Sequence, residues 1–254
     1  MSVLIANNLT KVYGENKGNY ATKALDGVDL AIEEGDFIAI MGPSGSGKST
    51  LVNILSGIMA PTSGSVEICE NRIDRMDQYE MALFRRRKLG FVFQEFNLLD
   101  NLTLKENVML PMVLDKKESS YMNNKSLEIM KLFGIDQIAD KHPYQISGGQ
   151  QQRVAVSRAL VNDPVILFAD EPTGNLDSKS ANTVMSCFEQ INIERNVTAL
   201  IVTHDVFAAS FCKKVIFIKD GRIFMDIVRK GSRKEFFDRI LDCQAIVGGE
   251  NNDL

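Results

Sequence analysis

Phe37-Ile-Ala-Ile-Met-Gly-Pro-Ser-Gly-Ser-Gly-Lys-Ser-Thr50 is the stretch on which the fold turns. Its first five residues form a short β-prone apolar run. Gly42 to Ser49 fit the spacing Gly-x4-Gly-Lys-Ser/Thr, and Leu51, Ile54, Leu55 and Ile58 then mark an apolar stripe at helical spacing. Strand, glycine-rich turn and helix is the context in which such a loop cradles phosphates. Glycines let backbone N–H groups turn toward one centre, and the helix N-terminus adds positive potential. Lys48 reaches the terminal phosphates and Ser49 offers a hydroxyl to Mg²⁺. The candidate nucleotide contacts of this loop are Gly42, Pro43, Ser44, Gly45, Ser46, Gly47, Lys48, Ser49 and Thr50.

Working outward, further strand-length apolar runs occur at Leu89–Phe93, Val165–Ala169, Thr198–Val202 and Val215–Ile218. A helical stripe of Val184, Phe188 and Ile191 lies between two of them. Alternating strand and helix predicts an α/β fold with a phosphate-loop core and a mostly parallel sheet. Val28, Leu30 and Ile32 alternate with polar residues and predict an N-terminal antiparallel β subdomain. The Asp220-Gly221 turn before Arg222–Met225 predicts a hairpin. From residue 95 to 146 the β-rich runs stop, and Met122, Ile129 and Phe133 share a face ended by Gly134. The expected organisation is one domain over 1–254. Residues 1–94 and 147–254 form its α/β core, 95–146 an inserted helical lobe, and 233–254 a C-terminal helix and tail. The tail helix carries Phe236, Phe237, Ile240 and Leu241 on one face, which packs either on a partner or on its own domain. Residues Glu250–Leu254 read as a short polar tail that frays.

The 254 residues are 44% hydrophobic and 24% charged, as in ordinary globular chains, which argues against disorder. A net charge of −4 leaves no electrostatic footprint for a nucleic-acid backbone, so no nucleic-acid partner is expected. The densest basic run, Arg85-Arg-Arg-Lys88, reads as a solvated helix end. No apolar run approaches the roughly 18 residues of a membrane span, and the N-terminus reads as neither a signal nor a transit peptide. The four cysteines show neither Cys-x-x-Cys spacing nor a nearby histidine cluster, which favours reduced structural thiols.

Val165-Ile-Leu-Phe-Ala-Asp170-Glu171 is an apolar strand ending in two carboxylates, an arrangement that sets an acid beside the phosphate loop. Asp170 is the candidate for the Mg²⁺ shell. Glu171, expected on the opposite side of the pleat, is the candidate general base for the attacking water. Simple capping of the turn before Pro172 is the alternative, and it ignores the phosphate loop. The two motifs together point to nucleoside triphosphate hydrolysis. Ser147-Gly-Gly-Gln150 has capping-box spacing ahead of another helix. Alone it reads equally as a well-capped helix start. Its N–H groups also suit a second phosphate clamp. A head-to-tail dimer uses both clamps, with each nucleotide between the lysine loop of one copy and the Ser147–Gln150 helix of the other. Of the two histidines, His142 before Pro143 reads as structural. His204, at a strand end, is the candidate to bond the γ-phosphate or the attacking water.

Over nearly its whole length the set resembles the ATP-binding subunit of an ABC transporter. Ile146-Ser-Gly-Gly-Gln150 is similar to that family's Leu-Ser-Gly-Gly-Gln signature, with Ile at the first position. The resemblance implies that Gln94 contacts Mg²⁺ and the membrane partner, and that Tyr13 stacks on adenine. It also implies that Asp177 links the two sites of the dimer and that His204 is the switch histidine. Gly90-Phe-Val-Phe-Gln-Glu-Phe-Asn-Leu-Leu99 and Glu106-Asn-Val-Met-Leu-Pro111 resemble the macrolide-efflux and lipoprotein-releasing branch. Thr203–Cys212, Val215–Gly221 and the tail Phe236–Gly249 look closer to bacitracin-type antimicrobial-peptide resistance transporters. That group pairs two ATPase subunits with a large permease beside a sensor histidine kinase. The implied setting is the cytoplasmic face of the membrane, with a permease as partner and ATP and Mg²⁺ as cofactors. A lipoprotein-releasing, macrolide-efflux or cell-division ATPase carries the same catalytic residues. A soluble DNA-repair or translation ATPase of this type would carry a long coiled coil or two cassettes. A non-hydrolysing binding module is disfavoured by Glu171 and His204.

Overall fold

The computed structural model describes residues 1–14 and 21–249; the tail Glu250–Leu254 lies outside the described residues. In chain order the elements are β1 (Ser2–Tyr13), β2 (Thr22–Glu33), β3 (Phe37–Met41), α1 (Lys48–Leu55), β4 (Ser63–Ile68), β5 (Asn71–Arg72), α2 (Gln78–Lys88) and β6 (Leu89–Val92). There follow α3 (Leu104–Leu114), α4 (Ser119–Leu132), α5 (Gly148–Leu160), β7 (Ile166–Asp170) and α6 (Ser178–Arg195). The chain then forms β8 (Ala199–Val202), α7 (Val206–Ala209), β9 (Lys214–Lys219), β10 (Arg222–Val228) and α8 (Arg233–Gly248).

Two sheets result. The larger has the order β10-β9-β3-β8-β7-β6, parallel throughout except for the antiparallel β9–β10 edge. The smaller is antiparallel, in the order β2-β1-β4-β5. This is the α/β architecture expected from the sequence. Strand β3 shows why its apolar run is unbroken. Phe37, Ala39 and Met41 enter the cluster that includes residues of α3 to α8, whereas Ile38 and Ile40 enter the cluster with α1 and the antiparallel sheet. Both faces of the sheet are covered, so every position of β3 has to be apolar. Complete burial of the Phe, Ile and Met side chains of β3 contributes about 1.5–3 kcal/mol each. β7 and β8 divide their side chains between the same two clusters.

Several local expectations are met for identifiable reasons. Asp220 and Gly221 both have positive φ, 50° and 74°, the mirror-image turn that matches strand twist in a two-residue hairpin. Gly134 ends the α4 region with φ 61°, and Ile129 and Phe133 are buried. Elsewhere the outcome differs. Ile58 does not extend the α1 stripe, because the helix stops at Leu55 and Gly57 turns the chain through φ 67°, leaving Ile58 exposed. Arg85-Arg-Arg-Lys88 does end a helix, α2, but its arginines are committed to partners. Arg85 donates to the Gly57 carbonyl, Arg86 to the Leu114 carbonyl and Arg87 to Asp115, each at 2.7 Å. In α8, Phe236 and Ile240 pack into the chain's own core, while Leu241 remains exposed. The four cysteines are free thiols, and burial pushes the Cys212 thiol upward. Among the described residues, no helix is long and apolar enough to cross a membrane.

Candidate active site at the carboxyl edge of the sheet

Parallel pairing fixes where the chemistry collects. Ile40 pairs with Val202, Val202 with Asp170, and Val92 with Ala169. The segments leaving β3, β8, β7 and β6 therefore emerge along one edge. They carry the lysine loop, Thr203-His204, Asp170-Glu171 and Gln94. Crevices at the carboxyl ends of such sheets are where ligands bind.

The loop from Gly42 to Gly47 depends on three glycines with positive φ: Gly42 at 155°, Gly45 at 78° and Gly47 at 102°. Gly42 and Gly47 are also pressed from outside, since a Cβ would collide with the carbonyl oxygens of Ile218 and Ala24 respectively. The Gly221 N–H donates to the Ser46 carbonyl at 3.1 Å, tying the β9–β10 hairpin to the loop. Lys48 opens α1 and folds back, donating to the carbonyls of Gly42 at 3.0 Å and Pro43 at 2.8 Å. Burial holds its ammonium below the usual lysine range, against the opposing pull of Glu171 and Asp170. The buried Ser46 hydroxyl has no hydrogen-bond partner among the described residues. Tyr13, at the end of β1, stands beside this helix, its hydroxyl 3.3 Å from that of Thr50, with Lys11 lying over its ring at 5.5 Å.

Asp170 ends β7 with Oδ1 buried and without a hydrogen-bond partner among the described residues. Desolvation first, and the Glu171 charge second, raise its carboxyl above the ordinary range. The Ser49 hydroxyl and Lys48 act in the other direction. An unsatisfied carboxylate oxygen beside a serine hydroxyl fits a hard divalent cation such as Mg²⁺. Among the described residues no three acidic, histidine or cysteine side chains converge, so such a cation would need ligands beyond these side-chain types, from neutral oxygens, phosphate or water.

Glu171 departs from the sequence expectation. It does not continue the pleat: its φ is +46°, the left-handed region. Its N–H donates to the Val202 carbonyl at 2.9 Å and its carbonyl accepts from the Gly174 N–H at 3.0 Å, bonds that hold the turn. The Glu171 side chain meets His204 Nδ1 at 2.8 Å and accepts from the Thr203 hydroxyl at 3.3 Å. His204 therefore engages Glu171 here. Sequence reasoning missed Thr203. Its signal was available only as a small hydroxyl side chain at the same strand end.

The Ser147–Gln150 segment forms the anticipated capping box. Ser147 Oγ accepts from the Gln150 N–H, and Gln150 Oε1 accepts from the Ser147 N–H at 3.0 Å. Gly149 is needed because a Cβ would come 2.8 Å from that of Ser180 on α6. No hydrogen bond among the described residues links 147–150 to the lysine loop, and Ser147 is exposed. Asp177 caps α6, accepting from the N–H groups of Lys179 and Ser180 and from the Ser180 hydroxyl. Those bonds lower its carboxyl below the usual range. Gln94 is exposed, with Asn175 donating to its carbonyl at 3.2 Å. His142 stacks on Tyr144 with centroids 5.6 Å apart.

The family profile described as "ABC transporter" matches residues 25–174, a span that contains the lysine loop, the Ser147 helix and the Asp170-Glu171 strand end. The chain belongs to the ABC transporter family. It is an ATP-binding subunit with the ATPase fold of that family. Similar proteins include an uncharacterized ABC transporter ATP-binding protein of Bacillus subtilis, YvcR, 50% identical over 100% of this chain and 98% of that protein. The bacitracin export ATP-binding protein BceA of Halalkalibacterium halodurans is 45% identical over the full length of both. Among solved structures, the Methanocaldococcus jannaschii cassette MJ0796, a dimer in a post-hydrolysis state with ADP and Pi, matches with a TM-score of 0.81. It is 41% identical, covering 90% of this chain and 100% of that one.

Proposed function

We propose that this chain energises a membrane permease that confers resistance to bacitracin-like antimicrobial peptides, working as a head-to-tail ATP dimer on the cytoplasmic face. The observation that carries the engine is the convergence of Lys48, Asp170, Glu171 and His204 on one sheet edge, with Glu171 and His204 2.8 Å apart. The transport assignment draws on the full-length similarity to a bacitracin exporter's ATP-binding protein.

In this reading the N–H groups of residues 42–50 and Lys48 bind the phosphates while Tyr13 stacks on the adenine. Ser49, Asp170 and Gln94 would hold a Mg²⁺ ion, which would supply positive charge to the phosphates. Lys48 turns from the carbonyls of Gly42 and Pro43 to the terminal phosphate, exchanging neutral partners for a charged one. Glu171 accepts a proton from the attacking water. His204 leaves Glu171 for the γ-phosphate once nucleotide is bound. Ser147, Gly148, Gly149 and Gln150 of one copy complete the nucleotide site of the other, and Asp177 lies where the copies meet. The exposed Gln94 segment and the helices after it transmit closure to the permease, and through the permease to a sensor histidine kinase.

The test is a deletion strain complemented with the wild-type or the Glu171→Gln gene. Bacitracin resistance restored by the wild type alone, with co-purification of a permease, supports the proposal. Unchanged bacitracin sensitivity on deletion overturns the substrate assignment.

A further inference from the structure

We propose that Thr203 is a positioning residue for Glu171, keeping the carboxylate aimed after His204 has moved away. The inference rests on the reading of Glu171 as general base.

The Glu171 side chain is held from two sides by consecutive residues at the end of β8, His204 on Oε1 and Thr203 on Oε2. The two holders differ in freedom. The His204 side chain is 73% exposed and can swing out. Thr203 is fully buried, and its N–H is fixed to the Ile40 carbonyl at 3.1 Å on the neighbouring strand. A hydroxyl has one proton to give. The Thr203 oxygen already accepts from the Asp205 N–H at 3.0 Å, which turns its own proton toward Glu171. The left-handed backbone at Glu171 is secured by Val202 and Gly174, but those bonds leave the side-chain torsions free. The contact of 3.3 Å is long for a hydroxyl donor, so it guides Oε2 without competing strongly for its lone pairs. A base misplaced by a fraction of an ångström loses rate while nucleotide binding is untouched. Thr203 thus lowers the number of carboxylate orientations during turnover, a role separate from that of the switch histidine.

The experiment is steady-state ATP hydrolysis by the purified full chain carrying Thr203→Val, Thr203→Ser or Glu171→Gln. Valine keeps the shape and removes the donor. Its expected effect is about a tenfold fall in kcat with the KM for ATP unchanged within about twofold, and serine recovers most of the loss. Wild-type kcat in Thr203→Val, or equal losses in the valine and serine variants, overturns the inference. Should the valine variant fail to fold by circular dichroism, Thr203→Ala against Thr203→Ser gives the same comparison. An active Glu171→Gln enzyme removes the general-base reading itself. An inactive Glu171→Gln beside a fully active Thr203→Val removes only the role of Thr203.

Discussion

The ammonium of Lys48 lies 2.8 Å from the carbonyl oxygen of Pro43, the residue that enters the loop Lys48 closes. The lysine is thus stored against its own backbone, its ammonium held at the loop by the carbonyls of Gly42 and Pro43. Stored this way, it supports the loop through two hydrogen bonds from a charged donor to neutral carbonyls, a gain offset by the desolvation of its ammonium.

Lys48→Ala is therefore expected to melt within a few degrees of the wild type without nucleotide. ATP hydrolysis should fall by about 10²-fold or more, since a charge aimed at the transferring phosphoryl is lost. Phosphate release and a thermal melt on the same sample check both halves.

Glu171→Gln keeps the side-chain shape and removes the proton acceptor. Hydrolysis should drop by roughly 10²–10⁴-fold, the range for a lost general base. ATP binding should persist and hold the chain as a dimer. Size-exclusion chromatography with and without ATP, alongside turnover, reads this; a variant that hydrolyses normally excludes Glu171 as the base.

Gly90 on β6 has a backbone any residue can adopt, but a Cβ there would come 2.6 Å from the Ala159 carbonyl and from Leu167. Gly90→Ala should destabilise the chain by about 1–3 kcal/mol through overpacking between α5 and the sheet. Gly248→Ala, where a Cβ meets nothing within 4 Å, is the control. Denaturant midpoints compare the two.

Asp115 follows α3, and its carboxyl is held below the ordinary range, first by the hydrogen bond from Arg87. A folded-state value below the unfolded one means the native state prefers the charged carboxylate. The stabilisation is complete above the unfolded value of about 3.9 and is lost as pH falls through the lower folded value. Asp115→Asn should accordingly be less stable than wild type at pH 6, with the gap closing as pH drops below about 4. Urea titrations at several pH values, extrapolated to water, measure the gap.

The strands of the parallel sheet were legible because both of their faces are covered, which turns each into an uninterrupted apolar run. Strand β1 was not. Its alternation is broken by register shifts between Ala6 and Leu9, where Asn8 takes φ 49°. A period-two pattern cannot survive such a bulge. The lysine loop and the Ser147 capping box were legible because each is a local device, in which residue type and spacing alone dictate the backbone. Helix α2 carried the same kind of signal, Asp77 and Glu80, in a segment too polar to attract notice. The Glu171 geometry was not legible. Pro172 biases its predecessor toward extended backbone, yet bonds to Val202 and Gly174 hold Glu171 in the left-handed region. Those partners are distant or irregular in sequence, as is Thr203, so only the assembled sheet edge brings them together.

The turn at Asp220-Gly221 has a wider mechanical meaning. Gly221 donates to the Ser46 carbonyl and accepts from the Asp26 N–H at 2.9 Å, so one residue rivets the phosphate loop to the antiparallel sheet. Under the proposed function, base-side and phosphate-side contacts would then share a single chassis. Any swing driven by nucleotide would have to be taken up by the segments beyond Gln94, as the lever arm of the machine.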